Sequence, residues 1–189
     1  MQKKYLAVDL RGYPSDLYEN VCQVRKLQDF LKYKGSHWSE GLCGVEIETF
    51  SQLKSLPKAD VVFARGGMVQ KNRRFLRSGK IDVLSCPYPF GSFQARLAAE
   101  RKVALELCFW DIQSTRGYLR AQILRRLGTT VKLAKKYHAP LIITSGAQSH
   151  TDIVSPRQLV AFGRVLGLDY KEAKACIWTI PRKVLEGFE

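Results

Sequence analysis

Apolar positions along the chain fall into short continuous runs, separated by segments in which they recur every three or four residues. Residues 5–9, 42–48, 60–64, 81–85, 103–109 and 141–145 are read as six strands. Their apolar character is continuous rather than alternating, the pattern of parallel strands covered on both faces. Between the first two runs, residues 16–33 set Leu17, Val21, Val24, Leu27 and Leu31 on one helical face, with Gly35 as the stop. Residues 51–56 give a helical turn before Pro57, and residues 72–78 and 93–101 give two short helices. Residues 115–137 carry the longest helical pattern. Residues 156–166 follow Ser155 as N-cap, with Pro156 at the first helical position. Two more short helices are read at residues 169–176 and 181–186.

Strands alternating with helices leave a doubly wound sheet or a (β/α) barrel. Neither G-x-G-x-x-G nor a Walker A motif follows the first run, which argues against the nucleotide-binding sheet. A full barrel takes eight strands and about 250 residues. The expectation is therefore an α/β fold, an incomplete or distorted TIM-like (β/α) barrel, with residues 1–189 as a single barrel-like domain. The loop from Ser85 to Ser92 is too short to be a linker.

Composition narrows the function. Of 189 residues, 46% are apolar and 11% aromatic, too many for a disordered chain. No run of 18 apolar residues exists to cross a membrane. Asp9 interrupts the N-terminal segment too early for a secretory signal. Cys22, Cys43, Cys86, Cys108 and Cys176 are scattered, odd in number and without C-x-x-C spacing, which argues against a disulfide framework or a cysteine zinc site and for a reducing, cytoplasmic setting. Lys and Arg total 31 against 17 acids, so the net charge is +14. Such a balance draws polyanions, and nucleic acid or a ribonucleoprotein is the favoured partner.

In barrels and open α/β sheets, ligands meet the carboxyl ends of the strands. The residues expected there are Asp9, Arg11, Gly12, Glu46, Glu48, Arg65, Gly66, Gly67, Ser85, Cys86, Trp110, Asp111, Ser145, Gly146 and Gln148. His37, His138 and His150 show no ligand spacing, so structural or solvated roles are favoured over metal binding. Asp9 and Glu106 face the interior, where an arginine partner is the plain explanation. Arg65-Gly66-Gly67 fits a loop whose glycines admit a phosphate while the guanidinium clamps it, although a Gly-Gly pair is more often just a turn. Residues 71–80 hold five cations, Lys71, Arg73, Arg74, Arg77 and Lys80, and no carboxylate. On the long helix, Arg116 and Arg120 share the stripe of Leu119, Ile123, Leu127, Thr130 and Ala134. They are expected to point inward at the mouth, paired with Glu106 or Asp111 or holding an external phosphate. Arg125, Lys132 and Lys136 fall on the opposite, solvated stripe, so Arg116→Ala is expected to weaken RNA-dependent activity more than Arg125→Ala.

Ile81-Asp82-Val83-Leu84-Ser85-Cys86-Pro87, Arg96-Leu97-Ala98-Ala99-Glu100 and Val103-Ala104-Leu105-Glu106-Leu107 together resemble the protein component 3 (thirty-kilodalton subunit) family of archaeal and eukaryotic ribonuclease P. Leu133-Ala134-Lys135-Lys136-Tyr137, Pro140 through Ala147, Ser155-Pro156-Arg157-Gln158-Leu159 and Gly163 through Gly167 extend the resemblance. It implies a barrel related to the polymerase and histidinol phosphatase (PHP) phosphoesterases. It also implies a noncatalytic subunit of the RNA enzyme that removes the 5′ leader of precursor tRNA with magnesium. A ribonuclease P RNA and another protein subunit are the implied partners. Those phosphoesterases place His-x-His after the first strand, where this chain has Asp9-Leu10-Arg11, and Cys86 stands where many relatives have histidine.

The resulting expectation is an RNA-binding scaffold with no catalytic residue and no metal of its own, magnesium acting with the RNA. Its phosphate contacts are Arg65, Lys71, Arg73, Arg74, Arg77, Lys80, Arg96, Arg116, Arg120 and Arg157, the last in a first helical turn where free amides also favour phosphate. The competing expectations are a divergent PHP-type metal-dependent phosphoesterase using Asp9, Glu46, Asp111 and His150, and a general binder of structured RNA.

Overall fold

The computed structural model describes residues 6–32 and 41–188. Seven parallel strands run in sequential order, β1 (Val8–Asp9), β2 (Asn20–Lys26), β3 (Leu42–Ile47), β4 (Val61–Arg65), β5 (Val83–Ser85), β6 (Ala104–Cys108) and β7 (Leu141–Thr144). The helices are α1 (Leu27–Lys32), α2 (Val69–Arg77), α3 (Ser92–Glu100), α4 (Trp110–Gln113), α5 (Gly117–Tyr137), α6 (Pro156–Val165), α7 (Tyr170–Ala175) and α8 (Thr179–Glu186). The expected TIM-like barrel is borne out, with one strand more than the six read from the sequence. Gly35 and His37 lie outside the described residues.

The extra strand is β2, which replaces most of the helix expected over residues 16–33. Val21, Cys22 and Val24 favour extended backbone, and pairing with β1 and β3 satisfies their amides. Helix begins only at Leu27, and Leu31, expected on the apolar face, is exposed.

Alternation along the strands divides the core in two. Val8, Leu10, Cys22, Val61, Phe63, Val83, Ala104 and Ile142 fill the lumen. Val184 of α8, with Ile180, Leu185 and Phe188, packs on this cluster as a plug at the amino ends of the strands. The opposite residues, among them Ile47, Ala64, Leu84, Leu105, Leu107 and Ile143, meet the surrounding helices. Apolar burial on both faces is what a continuous apolar run provides.

Among the described residues no eighth strand closes the barrel. Ile143 N donates to Cys176 O (3.0 Å) and Val8 N to Ile177 O (2.8 Å), so the segment after α7 bridges β7 and β1. Above it, Gly146 N donates to Arg11 O (2.8 Å) and Ser145 N to a carboxylate oxygen of Asp9 (3.1 Å). Gly146 has φ 68°, and a Cβ there would lie 2.6 Å from Cys108 Sγ, so only glycine fits this seam.

Candidate nucleic-acid interface

At the carboxyl ends of the strands the lumen turns polar. Arg11 enters from just beyond β1 and lays its guanidinium 4.5 Å from the centre of the Phe63 ring. Its Nη2 donates to Glu46 Oε1 (2.9 Å) and to Ser85 Oγ (3.1 Å), and its Nε lies 2.9 Å from Glu106 Oε1. Thr144 Oγ1 donates to the same Glu106 oxygen (2.8 Å). Burial opposes the arginine charge, but the carboxylates of Glu106 and Glu46 outweigh it and hold the guanidinium pKa above its ordinary value. Glu106 therefore has the arginine partner the sequence suggested, and that arginine is Arg11.

Asp9 sits on the seam, taking hydrogen bonds from Ser145 N (3.1 Å) and Arg11 N (3.2 Å). Burial pushes its carboxyl up to about 7, against the lowering effect of those bonds. Asp111 accepts from Cys86 Sγ (3.5 Å), whose thiol burial pushes up to about 12. His150 is exposed in a 3-10 turn. The four residues of the phosphoesterase reading thus have separate jobs or none in common. Among the described residues no three His, Cys, Asp or Glu side chains gather as a metal site. A guanidinium already wedged between Glu46 and Glu106 stands where a cation would have to sit, so this donor set does not fit a metal.

The Arg65-Gly66-Gly67 loop is a joint rather than a phosphate cradle. Gly66 N donates to Ser85 O (2.7 Å) and Gly67 N to Asn72 Oδ1 (2.8 Å). Buried Asn72 returns hydrogen bonds to Gly67 O (2.9 Å) and Pro87 O (3.0 Å). A Cβ on Gly66 would lie 2.8 Å from Pro87 Cα and from Ser85 O. The amides expected to meet a phosphate are already used, and the glycine serves close packing. Arg65 itself is exposed at the rim.

The inward orientation expected of Arg116 and Arg120 also fails. Both are exposed. Arg116 is the N-cap of α5, and Arg120 Nε donates back to Thr115 O (2.7 Å). Leu127, Thr130, Val131 and Ala134 form the buried stripe, but no residue from Arg116 to Ala121 is buried. The first turns of α5 run beyond the core they were expected to face.

The other predicted cations concentrate on α2 and α3. Arg73 lies 4.6 Å and Arg77 5.8 Å from the centre of the Phe93 ring, while Arg74 lies 4.3 Å over Phe50. Lys71 donates to Gly66 O (3.2 Å) and reaches the Phe75 ring at 5.8 Å. None of the four forms a close ion pair with a carboxylate among the described residues. Lys80 is exposed just beyond α2, and Arg96 of α3 is exposed 5.9 Å from the Tyr137 ring. Arg157 is exposed in the first turn of α6, which Ser155 and Pro156 open as expected, Gln158 N donating to Ser155 Oγ (3.4 Å). The sequence reading missed the rings beneath these cations. Arg73 and Arg77, four residues apart on one helix face, were the available signal, but Phe93 and Phe50 come from other elements.

Fold and surface together define a parallel (β/α)-barrel protein whose mouth holds a buried arginine between two glutamates and whose outer helical face is basic. The family described as RNase P subunit p30 matches residues 43–188, most of the chain. The chain belongs to this family of ribonuclease P protein subunits. Ribonuclease P protein component 3 of Methanothermobacter thermautotrophicus is 33% identical over 92% of this chain and 76% of its own length. The protein of the same name from Methanosarcina barkeri is 32% identical over 96% of this chain and 77% of its own. A chain in a cryo-EM structure of archaeal ribonuclease P with mature tRNA has the same fold, with a TM-score of 0.77 at 24% identity over 95% of this chain and 90% of its own. No described helix is long and apolar enough to cross a membrane.

Proposed function

We propose that this chain binds and supports the RNA of ribonuclease P during removal of the tRNA 5′ leader, without supplying a catalytic residue. The observation that carries this reading is the α2–α3 face, where Arg73, Arg74 and Arg77 rest on Phe93 and Phe50 with no carboxylate to neutralise them. A guanidinium held against a ring loses less freedom when it meets a phosphate. Arg65, Lys71, Lys80, Arg96, Arg116, Arg120 and Arg157 add charge of the same sign at other points of the surface. On this reading the RNA, with its magnesium, performs hydrolysis, and precursor tRNA and a second protein subunit join it in the holoenzyme. The tRNA-bound setting of the structural neighbour supports this arrangement.

The test is reconstitution with the cognate RNA and precursor tRNA. The paired change Arg73→Ala and Arg77→Ala is expected to weaken RNA binding at every salt concentration. It should also reduce the slope of log affinity against log salt by about one for each phosphate no longer held. Lys183→Ala on α8, which packs chiefly on α7, β1 and β7 rather than on the α2–α3 face, is expected to change neither. Unchanged affinity and slope in the α2 variant, or leader removal by the chain without RNA, overturns the proposal.

A further inference from the structure

The loop from β5 to α3 lays Tyr88, Pro89 and Phe90 against the middle of α5, where Arg125, Arg126 and Thr129 complete a groove of about 320 Å³. Tyr88 and Phe90 are half-buried and pack on the outer core, which fixes their rings. Arg126 lies 5.8 Å from the centre of the Tyr88 ring, and Thr129 Oγ1 donates to Arg125 O (2.9 Å). Arg125 and Arg126 are exposed and have no carboxylate partner among the described residues, nor does any acid line the groove. Arg125 is solvated, as the sequence pattern placed it, and lines the groove together with the two rings.

We propose that this groove holds one unstacked nucleotide of the partner RNA, its base against Tyr88 and Phe90 and its phosphate on Arg125 and Arg126. The proposal rests on the RNA-binding reading and adds a site to it. A volume at the low end of small-molecule sites admits a single nucleotide and not the side of a duplex. Aromatic rings take up bases turned out of loops and bulges, while guanidinium groups hold the backbone beside them. A protein segment in the same place would have to bring its own carboxylates to two arginines, whereas each nucleotide brings a phosphodiester. Around the barrel α3 packs on both α2 and α5, so the groove adjoins the basic α2–α3 face. One RNA strand can engage both.

The experiment uses the reconstituted holoenzyme carrying p-benzoylphenylalanine in place of Phe90. Irradiation is expected to give a ribonuclease-sensitive adduct that maps to one unpaired nucleotide. In parallel, Phe90→Leu, which removes the ring and no charge, is expected to weaken RNA binding about five- to tenfold while leaving the salt slope unchanged. The paired change Arg125→Gln and Arg126→Gln is expected to lower that slope. An adduct to a protein subunit alone, or no adduct, overturns the proposal, as does unaltered affinity in folded Phe90→Leu. If the α2 variant still weakens binding in those cases, only the groove assignment fails. If the α2 variant also binds normally, the RNA-binding reading fails with it.

Discussion

Removing the Arg11 side chain tests the account of the barrel mouth most directly. In Arg11→Met, Glu46 and Glu106, 5% and 3% exposed, lose the guanidinium that lies 2.9 Å from each. Breaking a buried ion pair from one side costs about 3–5 kcal/mol, because the partner charge is left without compensation. For a chain of this length 1 kcal/mol corresponds to about 2–4 °C in Tm, so a fall of about 6–20 °C is expected near pH 8. The sign of the pH dependence follows from the same chemistry. Buried carboxylates without a counter-charge bind protons more tightly folded than unfolded, so the deficit shrinks as pH falls. Urea unfolding of the variant and the parent at pH 8 and pH 5 measures this difference, and the parent's own pH dependence cancels in it. Adding Glu46→Gln and Glu106→Gln to Arg11→Met should restore much of the stability at pH 8. A deficit equal at both pH values, or a triple variant no more stable than the single one, refutes the assignment.

The Asp9 carboxyl, at about 7 in the fold against an ordinary 3.8, binds its proton more tightly folded than unfolded. Its contribution is therefore fully present at low pH, is lost as pH rises from about 4 through 7, and is flat above. Asp9→Asn keeps an acceptor for Ser145 N and Arg11 N and should flatten the stability profile over that range in urea titrations. A profile identical to the parent's counts against the buried seam. Gly66→Ala places a methyl 2.8 Å from two atoms of the main chain and should cost about 1–3 kcal/mol by thermal denaturation. A change under about 0.5 kcal/mol would show that the Gly66–Ser85–Pro87 joint can give way.

The legible part of the fold was the part buried on both sides. Five of the six strand assignments lie on β3 to β7, where continuous runs such as Leu141-Ile142-Ile143-Thr144 leave no ambiguity about period. At the first, Val8 and Asp9 are the strand residues among those described. β2 was misread because Gln23, Arg25 and Lys26 interrupt its apolar residues, and Leu17, Leu27 and Leu31 happen to fall in helical phase with Val21 and Val24. The basic run on α2 was legible as charge, since no acid interrupts it. Its stacking on Phe93 and Phe50 was not, because those rings arrive through tertiary packing. Arg11 was visible as a rim residue, but its two carboxylates are far away in sequence. The orientation of Arg116 and Arg120 failed for a different reason: a stripe fixes phase around a helix axis and says nothing about where along that axis the core stops.

The bridge from β7 to β1 through Cys176 and Ile177 has a consequence for assembly of the chain itself. Neighbouring strands can pair as soon as each emerges, but this bond pair joins the earliest described strand to a segment near the other end of the sequence. Pairings of such long separation form late, because the loop they close must first give up its freedom. Until then Val8 and Ile143 offer bare edges to other molecules, which the finished seam covers.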